Sequence, residues 1–246
     1  MKHRDVFLAA LALAIVWYIF AMILQRDILP TPIQVLSALI VQVPRGLAWH
    51  FIVSTWRVMA SIALAVALAT PIGWVLGQYP RLNRFFAPLI YLTYPIPKIV
   101  FLPIVILFLG IGDASKIAII FLILFFQILV VVRDASASLR PELLYSVRSL
   151  GAGRRALLRF VYFPATLPAV LTAVRVSIGT AIAVLFFTES FATNAGLGYY
   201  VIVDTFQRIA YPEMYAGIVA MSTLGLGLYF VVDFLERKLC PYLFAK

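Results

Sequence analysis

An all-α polytopic membrane protein, with six transmembrane helices and a cytoplasmic two-helix loop, is the fold class this sequence predicts. Three observations carry that reading. The 246 residues are 64% hydrophobic and only 12% charged, with a mean hydropathy of +1.03, whereas ordinary soluble domains carry about 25% charged residues. The apolar residues form continuous runs of membrane-spanning length, not the ~10-residue alternating segments of a transmembrane β-barrel. The basic residues, finally, are shared unevenly between alternate connections.

A span takes ~20 mostly apolar residues at about 1.5 Å rise each. The runs that meet this are about 6–24, 58–77, 85–109, 117–132, 169–188 and 214–232. The first exceeds the ~7–15-residue apolar core of a cleaved signal. It is followed by Gln25-Arg26-Asp27, so it is read as a retained helix, with a cleaved signal as the alternative. Next, Thr31-Pro32 supplies an N-cap and a proline at the first helical position. Leu36, Leu39, Ile40 and Val43 then share one face, which suits a short helix lying on the membrane surface. The third run is interrupted by Pro95, Pro97 and Pro103 and holds Lys98. Such a segment persists where neighbours or a water-lined cavity satisfy the freed backbone groups. The fourth run is short, with Lys116 and Arg133 at its ends to snorkel. Between the fifth and sixth, the segment Glu189 to Glu213 contains Asn194-Ala195-Gly196-Leu197-Gly198, a turn or re-entrant element.

Six spans return both termini to one side. With the N-terminus inside, Lys2, Arg4, Arg81, Arg84, Arg237, Lys238, Lys246 and the six arginines of loop 133–168 are inner, thirteen of the twenty basic residues. The outer connections keep Arg26, Arg45, Lys116 and Arg208. The positive-inside rule then orients the chain with both termini cytoplasmic. The net charge of +10 is explained by the lipid bilayer, and no nucleic-acid partner is implied. The single cysteine, Cys240, permits no intrachain disulfide.

The loop 133–168 carries Arg133, Arg140, Arg148, Arg154, Arg155 and Arg159 and no lysine. Pro141 opens a helix whose Leu143, Leu144, Val147 and Leu150 form an apolar stripe. Gly151 is placed to stop it in a left-handed cap. A second helix is expected from Arg154 to Phe163, with Arg155 and Arg159 one turn apart, ended by Pro164 and Pro168 before the fifth span. Binding of anionic headgroups is the simpler role for such a cluster. Topology needs charge but no folded shape, however, so the helix–glycine–helix layout points to a docking element for a soluble partner.

The sequence holds no GxxxxGK[ST] phosphate loop. Its two histidines, His3 and His50, lie in the tail and beside an outer interface, so catalytic or metal clusters are not visible. A membrane-embedded enzyme and a free-standing carrier or channel are the rival classes. No internal repeat supports the carrier. Ionisable residues at depth are costly, which makes Lys98 and Arg175 candidates for attracting an anionic solute; pairing, or a place near the inner interface, is their structural alternative. Glu189 either pairs with one of them or sits at the outer interface. The stretch Pro95–Pro103 is the candidate gate or pathway lining.

The loop resembles the inner-membrane permease subunits of binding-protein-dependent ABC importers. Their pattern has a Glu-Ala-Ala triplet, a glycine four residues later and a closing Leu-Pro pair. Here the glycine falls on Gly151, the later hydrophobic position on Val161 and the closing pair on Phe163-Pro164, and Ser149-Leu150-Gly151-Ala152 matches well. The triplet positions are Tyr145, Ser146 and Val147, with Glu142 the loop's only glutamate, so this chain departs from the pattern there. Leu29-Pro30-Thr31-Pro32, Ser54-Thr55-Trp56-Arg57, Pro103 through Gly112, Gly196-Leu197-Gly198-Tyr199 and Leu235-Glu236-Arg237 look like the nitrate/sulfonate/taurine branch, in common order over nearly the whole chain.

The resemblance implies a type I ABC importer permease. It is a transport subunit and not an enzyme, with no cofactor on this chain and with ATP and Mg on separate ATP-binding cassette ATPase subunits. It implies that Ser149, Leu150, Gly151, Ala152, Gly153, Arg154 and Arg155 couple to that ATPase. A bacterial cytoplasmic (inner) membrane as location, an extracytoplasmic solute-binding protein and a second permease copy, substrate classes of nitrate, sulfonates, taurine or vitamin precursors, and closure around a two-fold axis complete the expectation.

Overall fold

The computed structural model describes the backbone from His3 to Leu243 and the side chains of residues 8–242, that of Arg154 excepted. Lys2 and Lys246, and the side chains of Arg4 and Arg154, thus lie outside the described residues. Among the described residues there is helix and turn but no strand. In order come α1 (His3–Leu24), α2 (Pro32–Gln42), α3 (Ala48–Gln78), α4 (Pro80–Thr93), α5 (Leu102–Leu109), α6 (Asp113–Ala137), α7 (Pro141–Ser149), α8 (Arg154–Leu157), α9 (Phe163–Glu189), α10 (Leu197–Tyr199) and α11 (Tyr211–Leu239). Contacts divide the chain into two compact units, Met1–Thr55 with Glu189–Leu224, and Trp56–Thr188 with Gly225–Lys246.

In the first unit, Thr31 caps α2 reciprocally. Gln34 N donates to Thr31 Oγ1 at 3.3 Å, and Thr31 N to Gln34 Oε1 at 2.8 Å. This is the two-way cap that a Thr-x-x-Gln sequence makes. Leu36, Ile40 and Val43 face outward while Val35 is buried, which leaves an apolar face for the bilayer. A wide turn at Val43–Leu47 joins α2 to α3, and Gly46 bends it with φ 133°. The core of this unit gathers Leu47, Leu197, Tyr200, Val201, Ala216 and Ala220.

In the second unit, α3 packs directly on α6. A Cβ at Gly73 would come within 2.9 Å of Val132 Cβ, and one at Gly77 within 2.6 Å of the Arg133 carbonyl. These two glycines, four apart on one face, let the backbones touch, as small residues do where lipid offers no hydrophobic drive to pack helices. Ile119, Leu124, Ile128 and Val132 of α6 are buried. At the start of α6, Arg57 Nε and Nη2 donate to Asp113 Oδ1 at 2.9 and 2.7 Å.

Three local expectations change. The third run is not one straight span, because α4 and the segment Lys98–Leu109 meet at 80°. Pro95 and Pro97 deny backbone donors at the break. Next, the second loop helix and the fifth span are continuous over Arg155–Glu189; Pro164 and Pro168 do not end it. A wide turn at Leu158–Tyr162, where Phe163 N bonds Leu158 O, relieves the clash a proline makes with the preceding turn. Pro168 cannot donate to the Pro164 carbonyl, and Tyr242 Oη does so instead at 2.7 Å. Lys116, finally, does not snorkel: it is fully buried and its ammonium donates to Ile111 O at 2.8 Å.

Four helical stretches are long and apolar enough to cross a membrane, Pro32–Gln78, Asp113–Ala137, Arg155–Glu189 and Tyr211–Leu239, and the bent pair makes a fifth if it is one span. The first expected span falls in α1, which runs 22 residues from His3 to Leu24, long enough for a straight crossing, although only its stretch Leu8–Leu24 has described side chains. The count is therefore four to five among the described residues, against the six expected.

Candidate functional site

The loop folds into a knuckle on a packed base. Leu157, Val161 and Tyr162 are buried, and Leu144, Val147, Leu139 and Trp74 pack against them. Only half of the expected stripe on α7 turns inward, since Leu143 is exposed and Leu150 is 86% exposed. Gly151 ends α7 at φ +81°, with Gly151 N donating to Arg148 O and Ala152 N to Val147 O. A Cβ added at Gly151 or Gly153 would meet no described atom within 4 Å. Ser149, Gly151, Gly153 and Arg155 are exposed and Ala152 half-buried. Of the seven expected coupling residues, six thus form one surface tip; the side chain of Arg154 lies outside the described residues. Arg148 and Arg159 are exposed near it in the sequence.

The base of the knuckle is tied to the membrane helices by polar contacts. Tyr162 Oη donates to Gln78 Oε1 at 2.7 Å, and Gln78 Nε2 donates to Ser136 O at 2.7 Å. Trp74 Nε1 donates to Thr166 Oγ1, also at 2.7 Å. Sequence reasoning passed over Gln78, Trp74 and Ser136. The Gly73-x-x-x-Gly77 spacing just before Gln78 was the available signal.

The candidate pathway residues are spread over both units. Lys98 is buried at the 80° break. Its ammonium donates to the carbonyls of Thr93 (3.0 Å), Tyr94 (3.1 Å) and Ile96 (3.4 Å) and lies 4.7 Å from the Phe126 ring centroid. A cation placed on the last carbonyls of a helix satisfies groups the helix cannot, and meets the negative end of its dipole. Lys98 therefore holds the break in shape. Pro95 and Pro97 are exposed within it, and Pro103 sits in the first turn of α5, where a missing N–H costs nothing. Arg175 forms an ion pair with Glu236, with Asp233 4.0 Å away and the Tyr229 ring beside it. Both cations thus have structural partners.

Glu189 is fully buried in the first unit. Its carboxylate accepts from Ser54 Oγ at 2.7 Å and from Gly198 N at 3.1 Å, while Ser54 Oγ accepts from Leu197 N at 2.7 Å. His50 Nδ1 accepts from Gly196 N at 3.0 Å, and its Nε2 lies 3.5 Å from Asp204. These contacts fasten the 194–198 turn onto the start of α3. Burial, reinforced by the Glu213 and Asp204 carboxylates, pushes the Tyr200 hydroxyl in the same segment up to about 12, so it stays protonated. Ser54 and Arg57 both belong to the Ser-Thr-Trp-Arg stretch, and each turns out to hold a long-range polar contact.

Residues 69–241 match the family model of the binding-protein-dependent transport system inner membrane component. The chain belongs to this family. The permease is 30% identical over 220 residues to the taurine transport system permease protein of Escherichia coli, covering 87% of this chain and 80% of that one. It is also 30% identical over 192 residues to the formylaminopyrimidine transport permease protein of Halalkalibacterium halodurans, covering 77% and 76% of the two chains. Its fold matches the methionine ABC transporter MetNI in an inward-facing conformation, with a TM-score of 0.65 at 21% identity over 78% of this chain and 95% of that one. It is accordingly an inner-membrane permease subunit of an ABC importer, a transport component and not an enzyme. The matched stretch includes the knuckle, the break, Arg175 and Glu189.

Proposed function

We propose that the permease forms the translocation path for a small solute and is driven by a separate ATPase that grips the knuckle Ser149–Arg155. ATP and Mg2+ then belong to that ATPase. Its closure pushes the knuckle and shifts the balance between inward- and outward-open states. A solute-binding protein delivers substrate to the outer face. A second copy of the chain completes the pore around a two-fold axis. Both termini and the knuckle face the cytoplasm, and α1 with the bent pair brings the crossings to six. Small sulfonates such as taurine are the first substrate class to try, since the taurine permease is similar over most of this chain. The 80° break at Pro95–Lys98 is the element we assign to gating.

The observation that carries this reading is a folded, exposed tip, where a Cβ added at Gly151 or Gly153 would meet no described atom within 4 Å. Leu150 is 86% exposed beside a left-handed Gly151 and flanking arginines, above a packed base. A segment needed only for membrane topology requires no such shape. Co-purification with the cognate ATPase tests it. Gly151→Trp, and Arg154→Glu with Arg155→Glu, are expected to release the ATPase or abolish ATP-driven taurine uptake while the chain still inserts. Retained binding and unchanged uptake in both variants overturn the proposal.

A further inference from the structure

We infer that Gln78 is a positioning residue of transport, the pin through which movement of the knuckle reaches the membrane helices and the break; this rests on the docking reading above. The knuckle meets the rest of its unit through two kinds of contact. One is apolar, where Leu144 and Val147 of α7 lie on Leu157, Val161, Tyr162 and Trp74. Such contact has no direction and tolerates sliding. The other is polar and directional: Trp74 Nε1 donates to Thr166 Oγ1 at 2.7 Å between α3 and α9, and the contacts that reach α6 as well centre on one amide. Gln78 Oε1 accepts from Tyr162 Oη in the wide turn below α9, and Gln78 Nε2 donates to Ser136 O and Oγ in α6 at 2.7 and 3.3 Å. One side chain at the end of α3 therefore joins three segments.

Beyond Gln78, α3 cannot slide on α6. Gly77 lies against the Arg133 carbonyl and Gly73 against Val132, so tightly that an added Cβ would clash at both. A push on the wide turn is thus handed to α3 and α6 as one body. From α6 it reaches the break, because Lys98, which caps the end of α4, rests on Phe126 of α6. A cavity of about 380 Å³, lined by Trp74, Gln78, Tyr79, Arg148, Leu158 and Tyr162 among others, lies beside the pin. On that side the knuckle is not closely packed, so there the polar pin holds it beside the apolar base.

The test uses the permease assembled with its ATPase in liposomes. Ile96, exposed in the break, is replaced by cysteine, and the rate at which a maleimide labels it is compared with and without ATP and vanadate. Cys240 is buried, so the native thiol does not compete. The labelling rate is expected to change on addition of ATP and vanadate. Gln78→Leu and Tyr162→Phe are each expected to shrink that change about five-fold, as loss of one directional hydrogen bond implies, with ATPase binding kept. The double variant is expected to be no worse than either single, since both break the same contact. An unaltered response in Tyr162→Phe, which removes one oxygen and little packing, overturns the inference. So does a break whose labelling never responds. If Gly151→Trp also leaves binding and response intact, the docking reading has failed as well; if Gly151→Trp releases the ATPase while Tyr162→Phe does nothing, only the pin is wrong.

Discussion

Gly151 ends the short helix α7 and Gly196 follows the long helix α9, and both hold backbone conformations that L side chains rarely adopt, with φ of +81° and +121°. Their surroundings are opposite. At Gly151 an added Cβ meets open space, whereas at Gly196 it would land on the Glu189 carboxyl group. The first turn is kept clear by its own chain, and the second is filled by it. A glycine required by conformation alone on an exposed, arginine-flanked tip suits a surface that another protein covers. A glycine required by both conformation and space belongs to an internal lock. The 149–153 and 194–198 turns look alike as strings of small residues, and only their neighbours tell them apart.

Substitutions sharpen that contrast. Gly196→Ala is expected to be the most damaging, at about 3 kcal/mol, because a strained backbone adds to a clash with a buried carboxylate. The thermal unfolding midpoint of the purified permease in detergent should fall sharply, with transport lost as a consequence. Ser54→Ala comes next, at about 2 kcal/mol, since it leaves both Leu197 N and one side of the Glu189 carboxylate without the hydroxyl that serves them. The same midpoint measures it, and limited proteolysis within 190–210 should accelerate. Gly151→Ala is expected to cost only about 1 kcal/mol, from backbone strain alone. Its midpoint should hardly move, while ATPase co-purification weakens more than that small loss of stability explains. If Gly151→Ala unfolded the protein as readily as Gly196→Ala, the two turns would be alike and the contrast would fail.

Much of the architecture was legible in the residues. Membrane insertion follows from local transfer free energies, which add along the chain, so continuous apolar runs revealed crossing helices without any knowledge of partners. The cap at Thr31, the proline opening α7 and the left-handed stop at Gly151 were equally local, because each depends on one or two residues and their own backbone. The order of short motifs was enough to suggest the family.

Tertiary structure decided the rest. Pro164 and Pro168 read as stops, yet the helix continues: a wide turn at Leu158–Tyr162 makes room for Pro164, and Tyr242, 78 residues away, donates to the carbonyl that Pro168 leaves unserved. Lys98 and Arg175 read either as attractors of an anionic solute or as structural cations, and the fold supplies the partners: one caps the end of α4 and the other pairs with Glu236. Glu189 finds Ser54 across 135 residues, and Gln78 finds Tyr162 across 84. The sequence thus determined where the chain leaves water and where its backbone turns, since those energies are local. Which polar groups satisfy one another inside was settled only by the fold, because a buried donor or acceptor is constrained to have a partner but not to have it nearby in the chain.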